Sequence, residues 1–291
     1  MLRSTPNAHL DELAPKMAPG AHLEHNLSRR TLTLGTTKSV RDSSETITLN
    51  SITGKLVLAL IRGSDYAHPG EEEAIKLVFG PLEKSARTRI LDVGCGIGGT
   101  ARYITQQNWG TVTGVDRSTE NIGVAKQRHP GLDLVCSDVV DLERNVSGPF
   151  DIIYLFNAFF LFADQAAALG AMRTVARTQA KLALFDYVDL GGYAKWQEHR
   201  NTAGLPNTLN LDAVEALLPA SGWALERIVP MHAEYERWYS DLVVRIQAKR
   251  EQIVSMSSER YYDFVLTRFT ETRDDVRAGR LGGATIYARA I

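Results

Sequence analysis

Between residues 89 and 187 the chain alternates short apolar runs with stretches of helical periodicity. Arg89-Ile90-Leu91-Asp92-Val93 reads as a buried strand running into Gly94-Cys95-Gly96-Ile97-Gly98-Gly99, and residues 100–107 read as the helix that follows. Further apolar runs lie at residues 110–116, 132–139, 151–156 and 181–187. Strands separated by helical stretches predict an α/β chain.

The flanking segments pattern as helices. Residues 56–62 begin a helical region that breaks at residues 63–70, where glycine, serine, aspartate and proline crowd together. A second helix is predicted over 71–79, because Glu71, Glu72 and Glu73 complement the helix dipole and Gly80-Pro81 stops it. Residues 211–223 pattern as an amphipathic helix and its stop, 235–256 and 261–280 as longer helical regions, and 282–289 as a closing strand. Alternation at 31–35 and 46–49 predicts a hairpin or extended arm, and residues 1–30, with Pro6, Pro15, Pro19 and Gly20, read as irregular.

The candidate chemistry collects at the strand ends. Four glycines within residues 94–99 leave a backbone against which a ligand can lie, next to a helix N-terminus. The spacing is not the G-x-G-x-x-G of dinucleotide sites, and Asp92 just before it would repel a pyrophosphate but suit an ammonium or sulfonium. The second strand ends in Asp116, where a ribose diol is usually gripped, and the third in Asp138. Phe156, Phe159, Phe160 and Phe162 offer ring faces that attract a cation.

The run from Ile90 to Gly99, then Gly114-Val115-Asp116, Ser137-Asp138-Val139 and Phe150-Asp151-Ile152-Ile153-Tyr154, resembles the class I S-adenosylmethionine-dependent methyltransferases in motif and order over residues 85–190. That resemblance implies a doubly wound, Rossmann-like α/β sheet of seven strands with the last antiparallel, and an α-helical cap from residues 50–80 and 191–280. It implies S-adenosylmethionine as cofactor and S-adenosylhomocysteine as product. Gly94, Cys95, Gly96 and Gly98 would pass under the methionine end with Ser64 and Asp92 nearby. Asp116, followed by Arg117, would hold the ribose, Asp138 and Val139 the adenine, and Phe156 would face the sulfonium. In small-molecule members the break between two leading helices carries side chains to the transferred methyl, which makes Tyr66 the first candidate base, ahead of His199 and Asp186. Asn157 ends the fourth strand, where the family often places a residue touching the acceptor, and no N/D-P-P-Y signature follows it. Phe160 joins it on the acceptor side. The long connection after the fifth strand brings Tyr193, Trp196 and Arg200 as pocket candidates.

The leading Ser64-Asp65-Tyr66 and the tail are more loosely similar to phosphoethanolamine and sarcosine/dimethylglycine N-methyltransferases and to terpenoid or sterol C-methyltransferases. The phosphoethanolamine enzymes place a histidine where this chain has Leu161, which disfavours phosphobase activity. The expected organisation is an arm over 1–50, a cofactor-binding core with leading cap helices over 51–190, and a substrate cap with the last part of the sheet over 191–291. The expected function is methyl transfer to a small molecule, an amine or an apolar natural-product intermediate. A protein or RNA methyltransferase, favoured by a basic groove, and a noncatalytic S-adenosylmethionine-binding module are the alternatives; a nicotinamide dehydrogenase is disfavoured by Asp92 and the glycine spacing.

Composition changes this picture little. A chain of 291 residues that is 44% hydrophobic can bury a large core with an appended cap. A formal net charge of -1 without a Lys/Arg run argues against a nucleic-acid partner. Two cysteines, Cys95 and Cys136, provide neither a disulfide framework nor metal-ligand spacing, and His9, His22 and His25 fit no metal template. No apolar run approaches membrane-spanning length, so a cytoplasmic protein with no membrane partner is expected, with a homo-oligomer left open.

Overall fold

The computed structural model describes residues 48–198 and 204–291. The elements in chain order are α1 (Ile52–Arg62), α2 (Glu71–Phe79), β1 (Arg89–Val93), α3 (Gly99–Gln106), β2 (Thr111–Asp116), α4 (Thr119–Arg128), β3 (Asp133–Cys136), α5 (Leu142–Asn145), β4 (Phe150–Phe156), α6 (Gln165–Thr174), β5 (Ala176–Asp189), α7 (Tyr193–Glu198), α8 (Leu211–Ala220), β6 (Trp223–Pro230), α9 (His232–Ala248), α10 (Arg250–Met256), α11 (Glu259–Arg277) and β7 (Leu281–Ala290). They build a seven-stranded sheet in the order β3-β2-β1-β4-β5-β7-β6.

β1 to β5 pair in parallel, whereas β7 runs antiparallel to both β5 and β6. The order reverses between β1 and β4, so the loops after these strands diverge to opposite faces and open a crevice at the strand C-termini. Both sheet faces are covered, as continuous apolar strands require. One core joins Ile90, Ile152, Tyr154 and Phe185 to α1, α2, α3, α9 and α11; the other joins Leu91, Ile153, Leu155 and Leu184 to α6 and α8. Local chemistry sets the helix starts: Ser51, Ser118, Asp164, Asn210 and Ser258 each cap a helix by accepting a backbone N–H in its first turn.

The expected α/β sheet with one antiparallel final strand is therefore present, with three differences of extent. β5 starts at Ala176, well before the apolar run at 181–187; Arg177, Thr178 and Gln179 are polar and exposed, so its first part carries no apolar signal. β6 lies at the sheet edge, where half-exposed and charged positions give Trp223–Pro230 no continuous apolar signal. The helical region expected over 235–256 is divided at Lys249 into α9 and α10. The arm expected over 1–50 lies outside the described residues except for its last three.

The C-terminal helices cover the same sheet face as α1 and α2. α9 crosses β7 where Gly282 and Gly283 leave the backbone bare, and a Cβ on Gly283 would overlap the ring of Tyr235.

Candidate functional site

A cavity of about 550 Å³ opens over the C-terminal ends of β1, β2 and β4. Gly94, Asp116, Arg117, Asp138, Val139, Phe156 and Asn157 line it, so the ends of four strands meet at one space. Each position follows from backbone geometry. Gly94, Gly96 and Gly98 adopt φ of +82°, +56° and +84°, which side-chain-bearing residues rarely hold, and these turns fold the chain tightly from β1 into α3. Gly94 N–H and Cys95 N–H donate to Val115 O at 2.8 and 2.9 Å, pinning the turn to β2.

Asp116 organises the floor. Its Oδ2 accepts from Gly96 N–H at 2.9 Å, while Oδ1 accepts from Ser118 N–H at 2.9 Å and from the Asn121 amide at 3.3 Å. The carboxylate is half-buried, held by backbone donors and still on the cavity wall. Asp138 is exposed and uses Oδ1 on Val140 N–H at 3.2 Å. These two acids at adjacent strand ends suit a diol and an exocyclic amine, and the space above Gly96, where a Cβ would meet nothing within 4 Å, can take a ligand against the main chain. The residues present therefore fit an adenosyl cofactor.

Not every expected cofactor residue is on the wall. Asp92 is buried within the sheet beside Tyr154, its register partner on β4. Burial pushes its carboxyl up to about 7, against the pull of the Tyr154 hydroxyl and with a smaller push from Asp116. Cys95 is also buried, its thiol held well above the usual range by desolvation, then by Asp92 and Asp116. Ser64 accepts a long 3.5 Å hydrogen bond from Arg102 in the break between α1 and α2.

That break is tied down over the glycine turn. Asp65 pairs with Arg128 and lies 3.0 Å from His129, both at the end of α4. His68 is buried, donates from Nδ1 to Pro69 O at 3.0 Å and accepts at Nε2 from the Thr100 hydroxyl at 3.0 Å. Desolvation lowers it to about 3, so it stays neutral. Ala67 reaches the cavity, and Tyr66 is buried beside it.

Of the expected bases, Tyr66 and Asp186 are buried. The phenol of Tyr66 is pushed up to about 12, first by burial and then by Glu72, so near neutral pH it holds its proton. Asp186 is fully buried; Oδ2 accepts from Phe159 N–H and Phe160 N–H at 2.8 and 3.1 Å, and Oδ1 from Tyr187 N–H at 2.7 Å. It anchors the loop after β4 and does not reach the cavity. His199 and Arg200 lie outside the described residues.

On the expected acceptor side, Asn157 sits at φ +47° at the end of β4, its amide donating to Tyr235 Oη at 3.2 Å. Behind it, Tyr187 and Tyr239 share a hydrogen bond and Phe160 meets Tyr187 edge-on with centroids 5.1 Å apart. Tyr193 is buried in this core, its hydroxyl accepting from Gln197. Trp196 instead lies on the surface with Arg280 over its ring at 4.5 Å, which corrects its placement in the pocket. Sequence reasoning missed Tyr235 as a partner of Asn157, and also Lys55, Ser118 and Asn121, which line the cavity from α1 and from the start of α4. Ser118 and Asn121 sit in the polar run 116–121, which carries no signal separating wall residues from solvent-facing ones.

Residues 90–179 match the family described as Methyltransferase domain. Over these residues, which run from β1 into the start of β5, the chain carries a methyltransferase domain. Relatives include an O-methyltransferase of Pyrenophora dematioidea, 28% identical over 50% of this chain and 58% of that protein. Phosphoethanolamine N-methyltransferase 1 of Zea mays is 26% identical over 74% of this chain and 48% of the maize protein. The chain spans about half the length of the curated relatives it matches. Among solved structures, the cyclopropane synthase MmaA2 of Mycobacterium tuberculosis superimposes with a TM-score of 0.71 at 17% identity, covering 84% of this chain and 96% of that one. Phosphoethanolamine N-methyltransferase 2 of Haemonchus contortus, solved with phosphomonomethylethanolamine and S-adenosylhomocysteine, gives 0.68 at 20% identity over 82% and 57% of the two chains. These likenesses establish the methyltransferase fold of the domain. Among its described residues no helix is long and apolar enough to cross a membrane.

Proposed function

We propose that this chain transfers a methyl group from S-adenosylmethionine to the nitrogen of a small-molecule amine. One observation carries the reading: a single cavity joins Asp116, Asp138 and the open glycine turn to Phe156 and Asn157, with the tyrosines of the cap behind. When bound, the cofactor supplies an electrophilic methyl on a cationic sulfur.

The chain's own part is alignment. Asp116 and Asp138 fix the adenosine, the loop at 63–70 closes over the glycine turn, and Asn157 with Tyr235 orients the acceptor. Holding nucleophile and methyl in line removes much of the entropic barrier, and the aromatic wall keeps water out. A ring facing an amine or sulfonium adds about 0.5–2 kcal/mol. Tyr66, His68 and Asp186 are respectively held protonated, hydrogen-bonded at both ring nitrogens, and saturated by backbone donors. An amine that arrives neutral needs no base, whereas a hydroxyl acceptor does.

The cavity wall mixes Asp116, Asp138 and Asp164 with Lys55 and Arg117, which is not the basic groove a polyanion needs. Free thiols at Cys95 and Cys136 suit the reducing cytoplasm we assign to the protein. The test is to incubate the protein with S-adenosylmethionine and a panel of small primary to tertiary amines, phenols, apolar intermediates, RNA and peptides, measuring S-adenosylhomocysteine release and product mass. Turnover with amines supports the reading. Turnover confined to phenols, apolar intermediates, RNA or peptides overturns the acceptor class, and cofactor binding without any turnover favours a noncatalytic module.

A further inference from the structure

Lys55 is a cation inside this cavity with no assigned task. It lies one turn into α1, whose N-terminus Ser51 caps and whose inward stripe, Val57, Leu58 and Ile61, is buried in the core. The side chain lines the cavity, and Nζ makes no hydrogen bond or ion pair among the described residues. Its surroundings disfavour the charge through desolvation, while Asp116 favours it. On the cavity wall it shares the space with Asp116 and with Gly94 of the glycine turn. A partly desolvated ammonium gains from a directly contacting anion beyond the pull of a carboxylate to which it makes no hydrogen bond.

We propose that Lys55 forms a carboxylate subsite that pairs with the amino-acid tail of the bound cofactor. The inference rests on the methyltransferase reading above. Within that reading the ligand carries one anionic group, the carboxylate of the methionine portion, and the turn at Cys95 underlies that end. Asp116 is already engaged by Gly96 and Ser118 and is reserved for the ribose. A point charge on α1 would then draw the first helix down onto the tail, so cofactor occupancy and helix position become linked.

Two ligands separate this role from general charge balance around Asp116. S-adenosylhomocysteine carries the carboxylate, and 5′-methylthioadenosine has the same nucleoside without the amino-acid tail. Both are titrated calorimetrically into the full-length protein and into Lys55→Met and Lys55→Arg, with thermal melts confirming that each variant folds; Lys55→Gln replaces the methionine variant if that one does not. The expected result is a loss of about tenfold or more in affinity for S-adenosylhomocysteine in Lys55→Met, a change below about twofold for 5′-methylthioadenosine, and substantial recovery in Lys55→Arg. Equal losses for both ligands would assign Lys55 to the nucleoside and overturn the proposal, as would no loss for either. Wild-type protein that binds neither ligand overturns the methyltransferase reading itself, an outcome distinct from a defect confined to the variants.

Discussion

Replacing Asp116 by alanine tests the floor of the site in two separable ways. In the folded protein the carboxylate accepts Gly96 N–H and Ser118 N–H, each at 2.9 Å, and the Asn121 amide at 3.3 Å. Removing it leaves two backbone donors of the glycine turn and of the α4 start without their acceptor, which costs about 1–3 kcal/mol of stability, at the lower end because the site is half-open to water. Binding loses in addition the charge-assisted bonds to two ribose hydroxyls. At about 1.5–3 kcal/mol each before discounting for partial solvation, a net loss of about 2–3 kcal/mol is expected, which is roughly 30- to 150-fold in Kd. Urea denaturation reads the first quantity and calorimetric titration of S-adenosylhomocysteine the second. Asp116→Asn, which keeps the shape and loses the charge, should fall between alanine and wild type. A folded Asp116→Ala variant that binds S-adenosylhomocysteine within about threefold of wild type would refute the ribose assignment.

Three further outcomes follow from the same geometry. Burial raises the carboxyls of Asp92 and Asp186 to about 7, far above their unfolded range, so the native state holds more protons than the unfolded chain between about pH 4 and 7; their contribution is intact below that window and declines as pH rises through it, by at most about 1.4 kcal/mol per pH unit for each group. Asp92→Asn should flatten that part of a stability profile measured by chemical denaturation, and a profile of unchanged slope would show that Asp92 does not titrate there. Gly99→Ala places a methyl into the carbonyl of Asp65, and the displaced loop should cost about 1–3 kcal/mol in stability; a melting temperature equal to wild type would show that the loop does not pack as described. Tyr235→Phe retains the ring and removes the bond to Asn157, so the acceptor KM should rise several-fold while the Kd for S-adenosylhomocysteine stays fixed; parallel changes in both would argue against an acceptor-side role.

The cofactor half was legible because its signals are local. A glycine turn after an apolar strand and an acid at each following strand end are short-range patterns, and Gly94, Asp116, Asp138 and Val139 stand together on one cavity as their spacing implied. The acceptor half depends on contacts between residues far apart in the chain. Asn157 meets Tyr235, 78 positions on, and Tyr187 meets Tyr239, 52 positions on, which no periodicity announces. Asp186 and Asp116 both follow apolar runs in the sequence, yet Asp186 lies inside β5 and only the folded backbone shows that three N–H groups converge on it within the core. Trp196 reads in sequence as a pocket aromatic, and only the folded chain shows it exposed with the guanidinium of Arg280 over its ring. β6 was lost because an edge strand with mixed exposure carries neither alternation nor a continuous apolar run.

Gly283 links sheet and cap in a way that constrains how acceptor preference can change over generations. The tyrosine at 235 presses on a position that tolerates only a hydrogen atom. On the proposed reading, a lineage enlarges the acceptor end by trimming residue 235 first, which removes the ring that a side chain at 283 would strike. Once that side chain is in place, restoring the tyrosine is blocked until 283 reverts, so the order of two substitutions acts as a ratchet on selectivity.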